Sequence, residues 1–245
     1  MRFYWEDLAY IHDLGFSDYA LGATPGILRI LRSHGISRGL VVDLGCGSGR
    51  WARELNRAGY DVLGIDQSPS MIRLARKRAP RSRFKVASLW NTSLPPCDAI
   101  TSMGECLNYC FDRENQQGLS DLFRRAYAAL RPGGLLICDF AGRDRRPGKK
   151  GREHRSSGRR WSLVSRSTAH GQRRVRRHIV AYLRVGNHWL RSEEVHDLRL
   201  HPVGEIRMHL NRCGFRVHLV KGYGKFRLPR GIHAVVAIKP KACAD

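Results

Sequence analysis

The stretch Val41-Val42-Asp43-Leu44-Gly45-Cys46-Gly47-Ser48-Gly49-Arg50 constrains this chain more than any other. An apolar strand pattern runs into three glycines at alternate positions, and a helical pattern follows from Arg50 to Ala58. Glycine adopts positive φ at little steric cost. The stretch therefore predicts a strand, a tight turn and a helix whose first amides face whatever enters the turn. A dinucleotide fingerprint would place Gly or Ala at position 50 for close helix packing, and Arg50 stands there instead.

The same grammar repeats downstream. Asp61 to Asp66 reads as a second strand and Pro69 to Arg78 as a second helix, with Ser68 as its cap and Pro69 in its first turn. Phe84 to Ala87 and Ala99 to Met103 read as strands three and four. A helix from about Gln116 to Leu130 ends at Arg131-Pro132-Gly133-Gly134, and Leu135 to Phe140 resumes as strand five. Alternating strands and helices predict an α/β fold: a Rossmann-like, mostly parallel sheet with helices on both faces. Asp18 to Ser33 reads as an amphipathic helix interrupted by Pro25 and Gly26. Beyond Phe140 the pattern changes. Gly142 to Arg160 is polar and carries nine basic residues, which predicts a mobile loop or insertion. Trp161 to Thr168, Val175 to Val185 and His188 to His201 predict an antiparallel insertion, its last two strands joined by a tight hairpin at Gly186-Asn187. Pro202 to Cys213 reads as a helix, and Phe215 to Val220 and Ile232 to Ile238 as closing strands. Four segments follow: an N-terminal helical lid at 1–38, a core at 39–140, a basic loop and β insertion at 141–201, and a C-terminal completion of the core at 202–245.

Charge divides the chain. Of 44 Lys and Arg against 21 Asp and Glu, residues 141–245 hold 26 basic and 7 acidic, a net of +19, which leaves 18 and 14, or +4, for residues 1–140. Such asymmetry admits a nucleic-acid partner, although 36 of the bases are arginine, a bias that a GC-rich genome also produces. The seven cysteines form no C-x-x-C pair, which argues for reduced, buried thiols. His196 and His201 fall on opposite strand faces, so no metal site is expected. No apolar run reaches a membrane span, and Glu6 and Asp7 stand where a signal peptide would be apolar. A cytoplasmic protein is expected.

Asp43, Gly45, Gly47 and Gly49 match the D-x-G-x-G-x-G motif, and the chain resembles class I S-adenosylmethionine-dependent methyltransferases. Asp66, 21 residues after Gly45, ends the second strand and matches the acid that holds the ribose in that family. The resemblance implies Gln67 and Met71 beside the adenine. It also implies adenine contacts from Ser88, where many members have Asp, and from Leu89. Gly104, with the stretch Glu105 to Tyr109, resembles the fourth motif of small-molecule members. That makes Glu105, Asn108 and Tyr109 candidate substrate contacts. Leu130 to Leu136 matches the L-x-P-G-G-x-L turn. Ala9-Tyr10-Ile11-His12-Asp13 with Tyr19 resembles the N-terminal lid segment, so Tyr10 and Tyr19 are expected at the methionine end. Ser192 to His201 is similar to the substrate-facing strand of methyltransferases with this insertion, including sugar N-methyltransferases. Glu194 and His196 share one strand face and form the expected catalytic acid–base pair.

The resemblance implies S-adenosyl-L-methionine as cofactor and a transferase (EC 2.1.1.-) acting on an N or O atom of a small-molecule acceptor. Two alternatives stand beside it: a methyltransferase acting on RNA or another polyanion, and a catalytically silent cofactor-binding protein. The fourth motif lacks the N-P-P-Y or D-P-P-Y tetrapeptide of many base-methylating enzymes, which disfavours the RNA reading.

Overall fold

The computed structural model describes residues 6–15, 17–110 and 118–241. Helix α1 (Glu6–Gly15) and helix α2 (Ser17–Ser33) precede strand β1 (Gly39–Leu44), and the expected alternation then unfolds: α3 (Arg50–Arg57), β2 (Tyr60–Asp66), α4 (Pro69–Arg78), β3 (Arg83–Val86), β4 (Cys97–Ser102), α5 (Gly118–Ala129) and β5 (Leu130–Ala141). Strands β6 (Arg152–Gly158), β7 (Trp161–His170), β8 (Arg174–Val185) and β9 (His188–Arg199) follow. Helix α6 (Val203–Arg212), β10 (Arg216–Val220), the short β11 (Gly222–Tyr223) and β12 (Phe226–Arg227), and β13 (Ile232–Ile238) complete the chain.

The main sheet has seven strands in the order β10-β13-β5-β4-β1-β2-β3. Its other strands run parallel, and β13 alone runs against them, pairing antiparallel with both β5 and the edge strand β10. Alternation along β1 sends Val42 and Leu44 into a core beneath α5 and α6, whereas Val41 faces the core shared with α2 and α3. Each fully buried Val, Leu or Ile contributes roughly 1.5–3 kcal/mol, so both faces are held by the same strands. The second sheet, β6-β7-β8-β9, is antiparallel throughout. Leu8 and Ile11 of α1 pack on its Trp161, Leu163, Ile179 and Ala181. The chain therefore has a mostly parallel sheet with helices on both faces and an added antiparallel layer after its fifth strand. Among the described residues no helix is long and apolar enough to cross a membrane.

Three sequence expectations are corrected. Helix α2 runs unbroken through Pro25 and Gly26. Pro25 takes the exposed side, and Gly26 is buried because β11 crosses there: a Cβ on Gly26 would stand 2.1 Å from the Tyr223 carbonyl carbon and oxygen. Part of Gly142 to Arg160 is ordered as the edge strand β6, paired with β7 from Arg152↔Ser167 to Gly158↔Trp161. Charged residues on both its faces hide the strand period from the sequence. Finally, β5 begins at Leu130 and passes through the Pro-Gly-Gly turn, with a register shift opposite Cys97 and Ala99. The expected long helix before it begins at Gly118 within the described residues, so Gln116 and Gln117 lie outside them.

Helix propensity alone would make Gly26→Ala stabilising by as much as about 1 kcal/mol. The approach of Tyr223 reverses that sign, and a loss of about 1–3 kcal/mol is expected. Urea unfolding midpoints of the two proteins measure it, and a stabilised variant would contradict the packing of β11 on α2.

Candidate active site

A cavity of about 500 Å³ opens at the carboxyl ends of β1, β2 and β4, where ligands of open α/β sheets bind. Its floor is the glycine turn. Gly45, Gly47 and Gly49 have φ of 75°, 52° and 74°, each in the left-handed region. A Cβ on Gly45 would meet Cys106 Sγ at 2.4 Å, and one on Gly49 would meet Ala75 of α4 at 2.9 Å. Gly47 differs, since a Cβ there meets nothing within 4 Å, and its backbone lines the cavity.

Asp66 stands at the end of β2 with both oxygens anchored. Its Oδ2 accepts from the Gly47 amide at 2.9 Å and its Oδ1 from the Ser68 amide at 2.8 Å. Burial pushes this carboxyl up, and the two amides oppose the shift. Gln67, Met71, Ala87, Ser88 and Leu89 continue the wall. The Ser88 hydroxyl also accepts from the Trp90 amide at 3.1 Å, closing the turn after β3. Asp43 is 3% exposed and accepts from Thr101 Oγ1 at 2.8 Å, and Trp51 Nε1 donates to the same Thr101 oxygen at 3.1 Å. Burial lifts the Asp43 carboxyl to about 7.

The roof over the floor comes from α1, α2 and the small sheet. Asp13 is its hub. Its carboxylate accepts from Ser48 Oγ at 2.6 Å, Arg50 Nε at 2.9 Å and both terminal nitrogens of Arg78 at 2.7 and 2.6 Å. Burial pushes Asp13 up, but the Arg78 and Ser48 hydrogen bonds and the guanidinium charges outweigh it and hold the carboxyl below its usual range. His12 beside it lines the cavity, and burial drives its imidazole down to about 4 against the raising effect of Asp13. It is therefore neutral at pH 7. Tyr19 also lines the cavity and donates to Asp139 Oδ2 at 2.7 Å. Tyr10 is corrected: it points out from α1, is 42% exposed and is absent from the cavity wall.

Asp139, on β5, escapes sequence reasoning although it organises this end. Its Oδ1 accepts from the amides of Gly104 and Glu105 at 2.8 and 2.9 Å, and Tyr223 approaches Oδ2 at 3.4 Å. Burial raises it to about 6. Those two amides converge because Glu105 adopts φ of 63°, the one non-glycine residue with positive φ among those described. The only sequence signal is an acid inside the apolar strand Leu135 to Ala141.

The candidate substrate contacts separate. Glu105 and Tyr109 line the cavity and share Arg177, which donates to Glu105 Oε2 at 3.1 Å and to the Tyr109 hydroxyl at 3.2 Å. Asn108 is corrected. It is fully buried, its amide nitrogen donates to the carbonyls of Ala141 and Arg199 at 3.0 and 2.6 Å, and its oxygen accepts from the Ala141 amide at 2.8 Å. It joins β5 to β9 and is absent from the cavity wall. Glu194 and His196 do form a pair, with His196 Nε2 2.7 Å from Glu194 Oε2. The pair is not placed for direct contact with an acceptor, because both side chains lie behind the wall. Tyr109 packs edge-on against His196 at 5.7 Å between ring centres, and Arg177 is its neighbour on β8. No cluster of three or more metal-ligating side chains occurs among the described residues.

Asp43 carries a raised carboxyl, so the folded protein binds its proton more tightly than the unfolded chain does. The associated stability is present below about pH 4 and is lost as pH rises toward 7. Asp43→Asn keeps the acceptor for Thr101 and removes that charge. The variant is expected to gain stability relative to the parent between pH 4.5 and pH 8, measured by urea unfolding at both values. A difference that does not change with pH would contradict a buried, uncompensated carboxylate.

The methyltransferase-domain family Methyltransf_25 matches residues 41–134, the glycine turn through the Pro-Gly-Gly turn. A demethylmenaquinone methyltransferase of Tropheryma whipplei is 33% identical over 102 residues, which is 41% of each chain, so the match spans well under half of that relative. Among solved structures, Streptomyces venezuelae DesVI superposes with a TM-score of 0.78 at 22% identity over 96% of this chain and 99% of its own. Micromonospora echinaspora CalS10, an amino pentose methyltransferase solved with S-adenosylmethionine bound, gives 0.72 at 20% identity over 90% and 91%. At such identities the likeness establishes the fold. With the domain match and the glycine-turn geometry, it places the chain among proteins of the class I S-adenosylmethionine-dependent methyltransferase fold.

Proposed function

We propose that this protein binds S-adenosylmethionine and transfers its methyl group to an N or O atom of a small-molecule acceptor. The observation that carries the reading is the Asp66 carboxylate, fixed by the Gly47 and Ser68 amides beside a side-chain-free opening at the end of the sheet. Each Asp66 oxygen keeps acceptor capacity for a ribose hydroxyl. Met71, Ala87 and Leu89 supply apolar wall for an adenine, with Gln67 and Ser88 at its polar edge. Gly104 and Tyr19, ordered by Asp139, border the opposite end, and Asp43 lies beneath the glycine turn. These residues fit the nucleoside, and the cavity volume is within the range of about 300–1,000 Å³ usual for small ligands.

When bound, S-adenosylmethionine supplies an electrophilic methyl on a sulfonium. The chain's task is then alignment and exclusion of water, and proximity of this kind can supply roughly 7–11 kcal/mol. Helix α1, held down through Asp13, and the inner face of the small sheet close the cavity over the glycine turn. Glu105 and Tyr109 face the acceptor. Glu194 and His196 act behind them, His196 supporting the Tyr109 ring, so that pair positions the acceptor wall and does not itself take a proton from the acceptor. A roofed cavity favours a small acceptor over a folded RNA.

Incubation with methyl-labelled cofactor and fractionated cell extract tests the reading. Label is expected in a small metabolite, and label in RNA would replace this reading with the polyanion one. Asp66→Ala is expected to weaken S-adenosylmethionine binding at least about tenfold, as loss of charge-assisted hydrogen bonds of about 1.5–3 kcal/mol implies. Calorimetric affinity unchanged in the folded variant would contradict the ribose role of Asp66.

A further inference from the structure

The far wall of the cavity, opposite the glycine turn, is made by the inner face of the small sheet, and its charge is unbalanced. Strand pairing sets Arg152, Ser167, Arg177 and His196 on one row across β6, β7, β8 and β9. Strands lie about 4.8 Å apart, so Arg152 and Arg177 rise from the sheet about 10 Å apart with the small Ser167 between them. All three line the cavity. Arg145, from the turn after β5, approaches from the side.

Glu105 is the carboxylate that lines the cavity beside these guanidinium groups. Glu105 pairs with Arg177 at 3.1 Å and lies 3.4 Å from Arg145 Nε, too poorly aligned for a hydrogen bond, so that buried N–H is left without an acceptor. Arg152, an exposed residue at the cavity wall, has no hydrogen-bond or ion-pair partner among the described residues. Burial and the charges of Arg145 and Arg177 depress its guanidinium, with Glu105 opposing. Three guanidinium groups and the Glu105 carboxylate thus line this side of the cavity. The outer face of the same sheet is arranged differently: Arg176 is bidentate with Asp197 at 2.8 and 3.1 Å, and Arg191 pairs with Glu193. Arg176 and Arg191 outside are thus each paired with a carboxylate, whereas Arg152 within the cavity is not.

Gathering like charges in a partly buried wall is unfavourable unless an anion joins them, and the planar fork of arginine matches carboxylate and phosphate oxygens two at a time. We infer that the acceptor is an anion, and that its carboxylate or phosphate group is held over Ser167 between Arg152 and Arg177, with Arg145 alongside. The inference rests on the proposed methyl transfer and adds the chemical class of the acceptor. It also gives a purpose to part of the excess charge in residues 141–245.

The test uses the full chain saturated with S-adenosylhomocysteine, titrated separately with inorganic phosphate and with acetate at constant ionic strength, and reads the melting temperature. Arg152→Gln removes a side chain with no internal partner to lose. Arg166→Gln, on the opposite face of β7, removes the same charge outside the cavity. One of the two anions is expected to raise the melting temperature saturably in the parent and in Arg166→Gln, with the midpoint shifted at least tenfold higher in Arg152→Gln. A response to phosphate alone identifies a phosphorylated acceptor, and a response to acetate alone a carboxylate. No saturable response, or equal midpoints in parent and Arg152→Gln, would overturn the inference. So would an anion response that disappears once S-adenosylhomocysteine is bound, because the arginines would then hold the methionine carboxylate. Failure of S-adenosylhomocysteine to raise the melting temperature, read before any anion is added, counts instead against the proposed function.

Discussion

The contact on which the site depends is the hydrogen bond from the Gly47 amide to the Asp66 carboxylate. Parallel pairing of β1 with β2, from Gly39↔Tyr60 to Leu44↔Ile65, brings both strands to an end side by side. The Ile65 carbonyl then accepts from the amides of Gly45 and Cys46 at 2.8 and 3.1 Å, so the turn is stitched to its neighbour before the next residue, Asp66, reaches over it. Burial works against that acid, and only two amides oppose it. A carboxylate kept in such a place is poised for a ligand that brings further donors.

The roof is held by a second acid. A helix of ten residues is marginal alone in water, and α1 persists because Leu8 and Ile11 are buried against the small sheet while Asp13 collects Ser48, Arg50 and Arg78 from the floor. Arg50 thereby explains its own presence. Where a dinucleotide-binding turn would need a small residue, this chain places a guanidinium that ties the lid to the helix following the glycine turn. Cavity, lid and small sheet are thus mechanically joined, and the acceptor wall formed by Glu105, Tyr109 and Arg177 bridges β4 to the inserted layer.

The sheet and its glycine turn were legible because their signals are local: alternating burial, a Ser cap whose hydroxyl accepts from the Met71 amide, and glycines at fixed spacing. Asp13 and Asp139 were not, since their partners lie 34 to 120 residues away and no period marks them. Asn108 misled for a physical reason. A polar residue after a strand reads as a ligand contact, yet here the crossing of β5 and β9 leaves backbone groups that its amide must satisfy. Helix α2 continued past proline because tertiary packing at Gly26 outweighs local propensity. The edge strand β6 was hidden by charge, because the residues that turn inward, Arg152 and His154, are as polar as those that face water.

The most direct measurement is a calorimetric titration of the purified chain with S-adenosylhomocysteine and, separately, with NAD. The glycine turn with Asp66, closed by Arg50 and Asp13, predicts saturable one-to-one binding of the sulfur nucleoside and none of the dinucleotide. Binding of NAD with no heat from S-adenosylhomocysteine would contradict it.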